Sequence, residues 1–420
     1  MYFWYRFFTY LFYPLAPIYL YFRKIKKKED SVRYKEKLSH ITLTRGKGLL
    51  VWLHMASVGE AMSILPLVNS LLNEKKIDQI LLTSITLSSG KVLEKKFKEN
   101  PKVNHQFLPL DINFLTNKFL NHWKPNLCIL IDSEIWPNLI LNINKNKIPL
   151  LLINARITKK SFDRWKLFIN FAKKIFEKFD LCMVSNKESE NYLTILGAKN
   201  IKNYGNLKFS NTKSDLKRLD SDFLSKIKNR KVWCAASTHP TEELICAKSH
   251  LEIKKIYNNI LTIIIPRHID RVNAINEELS RLDLNVVFSS ESNKLSEKTD
   301  ILLVNSYGES LKFYNISKFA FLGKSLIRSL IKDGGQNPIE PARLGCKIFH
   351  GPYVSNFNEA YDYLRKLGVA KKINNSEELS LSLVEGLKDD KSKNQEIAKK
   401  IENYGQNILN NVTMELKKYI

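Results

Sequence analysis

The stretch Leu49–Glu60, LLVWLHMASVGE, joins an apolar run to small residues and an acid, an arrangement that suits general-base chemistry. Leu49–Leu53 is short and apolar enough to be a strand buried on both faces, and Ser57 and Gly59 favour a sharp turn after it. Ligands of open α/β sheets bind outside the carboxyl ends of the strands, so Glu60 is a candidate general base. A second interpretation, in which Glu60 only stabilises a helix N-terminus, stays open.

A second candidate site is the stretch GGQNPIE at residues 334–340. Two glycines before a helix start would leave backbone N–H groups facing an anion, and the helix dipole favours negative charge there. Arg267, at the end of another apolar run, could pair with a phosphate or carboxylate, and Glu340 could accept hydrogen bonds from a ribose diol. Each of these residues also has an ordinary structural interpretation, but together they favour a nucleotide site.

Alternating apolar and amphipathic segments predict the elements that position these residues. Between Gly48 and about Asn211 this alternation is the βαβ rhythm of a parallel sheet. Apolar runs are expected to be strands at Ile80–Thr83, Val103–Leu108, Leu127–Ile131, Leu150–Ile153 and Leu181–Val184. Polar clusters follow three of these runs, at Asp132-Ser133-Glu134, Asn154-Ala155-Arg156 and Ser185-Asn186, and would line one crevice.

The same alternation restarts after a polar stretch at 211–229 that is typical of a linker. Strand-like runs there lead into Ser237-Thr238-His239, Pro266-Arg267-His268, Tyr307-Gly308-Glu309 and Gly323-Lys324-Ser325. The fold class is therefore expected to be α/β, with two Rossmann-like doubly wound domains at 29–211 and 212–420, the second including a C-terminal helix. No GxGxxG fingerprint follows the first strand of either half, which argues against an NAD-linked enzyme. Two such domains are what a sugar-nucleotide transferase of the GT-B type needs.

The charge balance of the 420-residue chain is strongly basic, with 67 Lys and Arg against 42 Asp and Glu and a net charge of +25. This excess indicates an anionic partner, whether nucleic acid, anionic lipid or a phosphorylated substrate, although part of it can be solvated surface. The five cysteines are scattered without a CxxC pair, which fits a reducing cytosol. No histidine is spaced with a second metal ligand, so no metal is expected.

The first residues predict a membrane anchor at 1–28. Met1–Phe22 is dense in aromatic and aliphatic side chains and is followed at once by a basic cluster that begins at Arg23. A cleaved signal peptide is disfavoured because the basic cluster follows the apolar run. The apolar run is shorter than the ~20 residues of a spanning helix, so an interfacial anchor at a cytoplasmic leaflet is expected. A helix that packs on the body of the protein is the alternative.

A series of motifs extends nearly from end to end of the chain: HMASVGE, DSEIWPN, NARITKKSF, GNLKF, ASTHPTEE, PRHIDR, GESLKFY, GKSL, GGQNPIEPA and GPYVSNF. In these motifs the sequence resembles the 3-deoxy-D-manno-octulosonic acid (Kdo) transferases of Gram-negative bacteria, glycosyltransferase family 30. The resemblance implies an inverting transfer of Kdo from CMP-Kdo to the phosphorylated lipid A precursor, lipid IVA, without a cofactor. It also implies a GT-B fold and a place on the cytoplasmic side of the inner membrane, anchored through the N-terminus.

The resemblance further assigns roles to single residues. The catalytic base falls on Glu60, and support of the transition state falls on Glu134 and Lys208. The donor-binding positions are Pro266, Arg267, Tyr307, Gly308, Glu309, Asn337, Pro338, Ile339 and Glu340, to which the residue analysis adds Gly334 and Gly335. Contacts with donor or acceptor are expected from Ser57, Gly59, Arg156, Ser237, Thr238 and His239.

Four residues depart from the family pattern. Asn305 stands where Asp is common, Ser310 where Leu is common, Lys324 where a second Gly is common and Gln336 where His is common. These departures bear on donor contacts rather than on the base. Two other functions stay open at this point: a membrane-surface scaffold that binds anionic lipid or RNA, and a GT-B transferase with another donor. For the transferase itself, no nucleic acid partner is expected.

Overall fold

A computed structural model of the chain describes residues 1–210, 219–331, 334–388 and 395–420. Within it the chain divides into two compact units, one of Met1–Thr212 with Tyr404–Ile420 and one of Lys213–Asn403. Each unit has its own sheet and its own hydrophobic core. The expected second domain, 212–420, differs from the observed unit at its end, because the structure assigns Tyr404–Ile420 to the first unit.

The first unit is built on a parallel sheet. Its strands are β1 Leu50–His54, β2 Gln79–Ser84, β3 Val103–Phe107, β4 Leu127–Ile131, β5 Leu150–Ala155, β6 Leu181–Val184 and β7 Ile201–Asn203. Over the described residues these seven strands lie in the order β3-β2-β1-β4-β5-β6-β7. β1 and β4 are buried along their whole length, as apolar strands covered by helices on both faces must be. Because β1 lies between β2 and β4, the strand order reverses beside it, and a crevice opens at the carboxyl ends.

Helices connect these strands and cover both faces of the sheet. They are α1 Tyr2–Phe12, α2 Ala16–Ile25, α3 Val58–Leu72, α4 Leu87–Phe97, α5 Asn113–Trp123, α6 Pro137–Lys145, α7 Lys159–Lys166, α8 Ile169–Phe176 and α9 Lys187–Leu196. Helix α3 illustrates how the sequence sets them: Ser57 caps its start, and one side buries apolar residues spaced three and four apart, from Ile64 to Leu71.

The second unit repeats this plan with a second parallel sheet. Its strands are β8 Lys231–Thr238, β9 Ile260–Pro266, β10 Val286–Phe288, β11 Ile301–Leu303, β12 Phe319–Leu322, β13 Lys347–His350 and β14 Ala370–Lys372. Over the described residues the order is β10-β11-β9-β8-β12-β13-β14, so the reversal lies between β8 and β12. The expectation of two doubly wound α/β units is therefore confirmed.

The helices of the second unit complete this fold. They are α10 Ser221–Ile227, α11 Glu242–Lys254, α12 Val272–Ser280, α13 Ser310–Ile316, α14 Ile339–Arg343, α15 Asn358–Lys366 and α16 Ser376–Leu387. Helix α17, Gln395–Leu416, begins in the second unit and passes at Tyr404 into the first. Helix α10 lies inside the stretch 211–229 that was expected to be a linker, because Phe223 and Ile227 are buried. The first part of that stretch, 211–218, lies outside the described residues.

The C-terminal segment joins the first unit through close backbone contact. A Cβ on Gly405 would lie 1.9 Å from the carbonyl oxygen of Phe209, so a glycine is needed at this point of α17. The ring of Tyr404 packs edge-on against Phe209 with centroids 5.1 Å apart. Local sequence patterns do not predict that the C-terminal segment packs on the first unit, because this packing depends on contacts between residues almost two hundred positions apart.

One side of the N-terminal helical segment packs against the rest of the first unit. The Tyr5 hydroxyl donates to Asp111 Oδ2 at 2.7 Å, and Asn138 Nδ2 donates to the Thr9 hydroxyl at 3.2 Å. The ring of Tyr13 packs edge-on against Phe114 with centroids 4.5 Å apart. One side of this segment therefore packs on the body of the protein, as the alternative interpretation predicted.

The other side of α1 and α2 is exposed and strongly apolar. Its side chains include Phe3, Trp4, Phe7, Phe8, Leu11, Leu15, Ile18, Tyr21, Phe22 and Ile25. Within the described residues, no helix is both long enough and apolar enough to cross a membrane. In the basic cluster, Arg23 is bound to the buried carboxylate of Glu29 at 2.6 Å, whereas 26–28 are exposed lysines.

Candidate functional site

Glu60 occupies the start of α3, directly beyond the carboxyl end of β1. Its Oε2 accepts a hydrogen bond from the backbone N–H of Ala56 at 2.7 Å, and its Oε1 accepts one from the Ser57 hydroxyl at 2.8 Å. The Ser57 oxygen in turn accepts from the Glu60 N–H, which completes a capping box. Glu60 is thus compatible with both interpretations. It stabilises the start of the helix, and it places a carboxylate beyond the carboxyl end of β1.

The neighbouring positions Ser57 and Gly59 have different roles. Ser57 is the N-cap residue of α3 and fixes the rotamer of Glu60. Gly59 is exposed, and the nearest atom to a Cβ built there is Ser57 Oγ at 3.9 Å, so the backbone does not require a glycine. Gly59 instead leaves the space beside Glu60 open.

Glu134 lies beyond the end of β4 and is held by two donors. Its Oε2 accepts from His54 Nε2 at 3.0 Å and from the indole N–H of Trp136 at 2.7 Å. Burial would raise the pKa of Glu134, but the hydrogen bond and charge of His54, together with Trp136, lower this pKa below the ordinary value. Glu134 is thus a buried, oriented and ionised carboxylate.

Asp132 is a site residue that the sequence analysis noted only as part of a polar cluster. Its backbone is left-handed, with φ +62°, a strained conformation for a residue that carries a Cβ. Burial, with a further contribution from the charge of Glu60, raises the pKa of its carboxyl to about 6, against the opposing charges of Lys208 and Arg156. In the described part of the chain, its carboxylate has no hydrogen bond or ion pair. An acid after a buried strand was the only available signal.

Lys208 and Arg156 complete a mixed-charge cluster with Glu60 and Asp132. Lys208 lies on a 3₁₀ turn, Leu207–Ser210, that follows β7, and Arg156 follows β5. Burial lowers the pKa of Lys208, whereas the charges of Asp132 and Glu60 raise it. The structure thus brings together Glu60, Lys208 and Arg156 around Asp132, while Glu134 belongs to the adjacent network with His54.

In the second unit, Glu242 joins two of the strand-end loops that were predicted to meet ligand. This fully buried carboxylate accepts hydrogen bonds from the backbone N–H groups of His239 at 3.0 Å and Lys324 at 2.7 Å. It also accepts from Ser325 at 2.9 Å and from the next residue along the chain at 3.0 Å. Sequence analysis missed Glu242 because it resembled an ordinary acid in the first turn of a helix.

The strand ends of β8 and β9 bring His239, Arg267 and His268 together. The N–H of Arg267 donates to the carbonyl oxygen of Thr238 at 3.0 Å, and the rings of His239 and His268 lie edge-on with centroids 5.6 Å apart. Ser237 has φ +55°, a second strained residue at a strand end. Burial lowers the pKa of His239, and the charges of His268 and Lys324 lower it further. Pro266 ends β9 and fixes the chain before Arg267.

Tyr307, Gly308 and Glu309 lie in the loop before α13. Tyr307 is 66% exposed, and a Cβ on Gly308 would meet nothing within 4 Å. Gly308 has φ +79°, so glycine is favoured there by conformation rather than by space. Glu309 forms an ion pair with Lys312.

The stretch 334–340 differs from its expected role as a backbone anion site. Gly334 and Gly335 are buried, and the N–H of Gly335 donates to the carbonyl oxygen of Lys324 at 2.7 Å. Asn337 Oδ1 accepts the N–H of Ile339 at 3.1 Å, and α14 has only five residues. The expectation that both glycines present N–H groups to an anion is therefore corrected, since Gly335 needs its N–H and its φ of +90° to join two loops.

Glu340 keeps its candidate role. The residue is exposed at the surface. Desolvation by the surrounding protein nevertheless raises the pKa of its carboxyl, and the charge of Arg343 opposes that shift. Pro338, which precedes α14, and Ile339, its first residue, are buried and support this turn.

Two of the residues that depart from the family pattern have hydrogen-bond partners. Asn305 Oδ1 accepts from the Ser289 hydroxyl at 3.0 Å, and its Nδ2 donates to the Ser290 hydroxyl at 2.8 Å. The backbone carbonyl oxygen of Gln336 accepts from the Tyr361 hydroxyl at 3.0 Å. Ser310 is the first residue of α13.

Among the described residues, no group of three or more His, Cys, Asp or Glu side chains has the arrangement of a metal site. The five cysteines are all buried, and none of them forms a disulfide. The expectation that the chain uses no metal and no cofactor stays a prediction.

Comparison with known proteins places these sites in context. A family model described as 3-deoxy-D-manno-octulosonic-acid transferase (kdotransferase) matches residues 32–211. The 3-deoxy-D-manno-octulosonic acid transferase of Rickettsia bellii is 33% identical over 96% of this chain and 94% of its own length. The enzyme of the same name from Haemophilus influenzae is 31% identical over 81% of this chain and 79% of its own length.

A solved structure shows the same fold at low identity. The crystal structure of UDP-GlcNAc 2-epimerase from Neisseria meningitidis bound to UDP-GlcNAc is 14% identical, with a TM-score of 0.57. The match covers 88% of this chain and all of that one, 100%. The resemblance noted in the sequence motifs is confirmed by the two transferases, and the pair of Rossmann-like units is supported by the epimerase.

Proposed function

The chain belongs to the 3-deoxy-D-manno-octulosonic acid transferase family and is a glycosyltransferase that transfers Kdo in lipopolysaccharide core biosynthesis; we propose that its donor is CMP-Kdo and its acceptor the phosphorylated lipid A precursor, lipid IVA. The geometric observation that carries the proposal is the cluster of Glu60, Asp132, Arg156 and Lys208 at the carboxyl edge of the first sheet. Such a cluster offers a base for a sugar hydroxyl and cations for an anionic substrate.

The donor is assigned to the second unit. Arg267, His239 and His268 follow β8 and β9, where a phosphate would meet positive charge. Glu340, an exposed carboxylate in the first turn of α14, would accept hydrogen bonds from the ribose diol. The loop of Tyr307, Gly308 and Glu309 follows β11, at the same edge of the sheet, and would contact the nucleotide.

The reaction that we propose inverts the anomeric carbon of Kdo. The acceptor hydroxyl attacks that carbon opposite to CMP, so the new carbon–oxygen bond forms as the bond to the phosphate oxygen breaks. Glu60 takes the proton of the attacking hydroxyl, and CMP leaves with the electron pair of the broken bond. Lys208 and Glu134 stabilise the charges that develop, Glu134 as an ionised carboxylate held by His54 and Trp136. A GT-B arrangement of the two units belongs to this proposal.

The N-terminal helices supply a membrane contact in this proposal. The exposed side of α1 and α2 presents aromatic and aliphatic side chains, which are the residues that enter the interfacial layer of a bilayer. The exposed lysines at 26–28 would face anionic headgroups. These features support the shallow, interfacial attachment to the cytoplasmic side of the inner membrane that belongs to this proposal.

The test is mass spectrometry of the product formed from CMP-Kdo and a tetra-acylated lipid A precursor. The proposal expects a product heavier than the acceptor by one or more Kdo residues. Arg267→Ala and Glu340→Ala should weaken CMP binding in calorimetry, whereas Glu60→Gln should not, because Glu60 lies in the other unit. An unmodified acceptor with a chain that binds CMP would overturn the proposed acceptor, and equal CMP affinity in all three variants would overturn the donor site.

A further inference from the structure

Lys324 has a backbone conformation that favours glycine. It directly follows Gly323 at the end of β12 and has φ +57°. A residue with a Cβ is less stable than glycine in this left-handed region. In the described residues, Lys27, Lys124 and Lys147 also have positive φ, so the chain carries natural comparisons for this strain.

The backbone of Lys324 is fixed from both sides. Its N–H donates to Glu242 Oε2 at 2.7 Å, and its carbonyl oxygen accepts from the N–H of Gly335 at 2.7 Å. A Cβ on Gly323 would come within 2.6 Å of the carbonyl oxygen of Ser237, so the loop also packs closely against the neighbouring strand end. None of these contacts uses the lysine side chain, and a glycine would make both hydrogen bonds.

The loop structure therefore does not explain why a lysine side chain stands at position 324. It is half-buried, and no hydrogen bond or ion pair to its ammonium group exists within the described residues. Its charge is close enough to His239 to lower the pKa of that imidazole, an effect that ranks after burial and the charge of His268. Arg267 follows the adjacent strand. Four potential cations thus gather at the carboxyl ends of β8, β9 and β12.

The acids nearest to this cluster are already bound. Glu242 accepts four backbone N–H groups, and Glu243 is fully buried and bound to Arg271 at 3.0 Å. They leave the ammonium group of Lys324 without a counter-charge in the described part of the chain. A partly buried cluster of Lys, Arg and His side chains whose neighbouring acids are already bound by other groups is a site for an anion.

We propose that Lys324 binds the phosphate of the cytidine nucleotide donor, as a point charge that glycine cannot supply at this position. This inference rests on the proposed function and deepens it, because it adds a donor-affinity residue to that site. Lysine suits the role, since its ammonium group binds phosphate without a fixed orientation. The local strain is then the consequence of placing a cation where the loop geometry favours glycine.

The test compares Lys324→Gly with Lys147→Gly in the full-length chain. Lys147 has φ +55° in an exposed turn after α6, so both variants relieve the same backbone strain and both should raise the melting temperature or leave it unchanged. Calorimetry with CMP should show an affinity at least about tenfold weaker for Lys324→Gly, as expected for a lost hydrogen bond between charged groups. Lys147→Gly should bind CMP like the parent, and Lys324→Arg should retain most of the affinity.

Cytidine, which lacks the phosphate, identifies the group that Lys324 contacts. Its affinity should be the same for the parent and Lys324→Gly, although weaker than that of CMP. Equal CMP affinity in the parent and Lys324→Gly would overturn this inference alone. An equal loss for cytidine and CMP would overturn it as well, because the contact would then lie on the nucleoside. Failure of the parent to bind CMP would overturn the proposed donor and this inference together.

Discussion

His54 Nε2 donates a hydrogen bond to Glu134 Oε2 at 3.0 Å, and the opposite ring nitrogen, Nδ1, lies 2.9 Å from the hydroxyl oxygen of Thr83. The indole N–H of Trp52 donates to that same hydroxyl at 2.9 Å, so the hydroxyl is held between Trp52 and His54. Since an ionised carboxylate only accepts, Nε2 carries a hydrogen and donates it to Glu134. This chain of donors, running from Trp52 to Glu134, holds the carboxylate in one orientation.

Thr83→Val should reduce Kdo transfer while the fold is retained. The variant removes the hydroxyl that links the Trp52 indole to His54 Nδ1, so His54 loses a partner that orients its ring against Glu134. Valine keeps the branched shape of threonine, so the strand should still pack. Steady-state kinetics and thermal melting measure the two effects separately.

The second unit offers a matched control for this variant. His250 Nδ1 lies 2.8 Å from the Thr262 hydroxyl, and its Nε2 lies 3.3 Å from Asp300 Oδ1, and none of these three residues has a proposed role in transfer. Thr262→Val removes the equivalent hydroxyl and should leave transfer unchanged. Unchanged transfer in Thr83→Val would show that the hydrogen bonds from Trp52 do not position Glu134.

Glu60→Gln should reduce Kdo transfer at least about a hundredfold, because the amide cannot accept the proton of the acceptor hydroxyl. The fold should survive, since glutamine also completes a capping box. Steady-state kinetics and thermal melting measure the two effects separately. Glu378→Gln is the control: Glu378 accepts the N–H of Asn374 at 2.9 Å at the start of α16 and has no proposed role in transfer. Near-normal turnover in Glu60→Gln would remove Glu60 as the base.

Asp132→Asn should stabilise the protein at neutral pH and weaken transfer. The native state holds the Asp132 proton more tightly than the unfolded chain, because its pKa rises from 3.8 to about 6. The charged carboxylate therefore opposes folding fully above the folded pKa and not at all below the unfolded pKa. Removal of the charge should add about 1–3 kcal/mol at about pH 8 and less at about pH 5.

Asp111→Asn is the comparison, because burial also raises the pKa of Asp111 to about 6. Asp111, however, accepts from the Tyr5 hydroxyl at 2.7 Å and from the N–H of Leu139 at 2.8 Å. Its replacement should destabilise the chain, since the amide supplies a donor where acceptors are needed. Denaturant unfolding at the two pH values measures both variants. A stability loss in Asp132→Asn would show that Asp132 serves structure rather than function.

Substitution of the exposed residues Phe3, Trp4 and Phe8 by serine should weaken binding to anionic vesicles without a loss of stability, because these side chains are 71%, 55% and 60% exposed. The residual binding should fall with salt, since it would depend on exposed charge alone. Tyr5→Phe is the control, as it removes the hydrogen bond to Asp111 and should lower stability but not vesicle binding. Unchanged, salt-insensitive vesicle binding in the triple variant would place the membrane contact elsewhere.

The pattern of apolar and polar residues along the chain predicts the two parallel sheets and most of the residues at their carboxyl edges. Buried strands such as Leu50–His54 and Leu127–Ile131 are continuous apolar runs, and polar residues follow them where the chain leaves the core. The position of Glu60 at the start of a helix followed from the same pattern. These features are local, so the composition of a short segment is enough to predict them.

Long-range packing determines which of those side chains come together and which donors and acceptors are already hydrogen-bonded within the protein. The placement of Asp132 beside Glu60 and Lys208 depends on the strand order, which joins β1 to β4 across more than seventy residues of chain. The use of the Gly335 N–H by Lys324, and of Glu242 by two loops, depends on the same long-range packing. Hydrogen-bond satisfaction is a property of the folded chain, because a donor or acceptor becomes unavailable to a ligand only when a distant segment binds it.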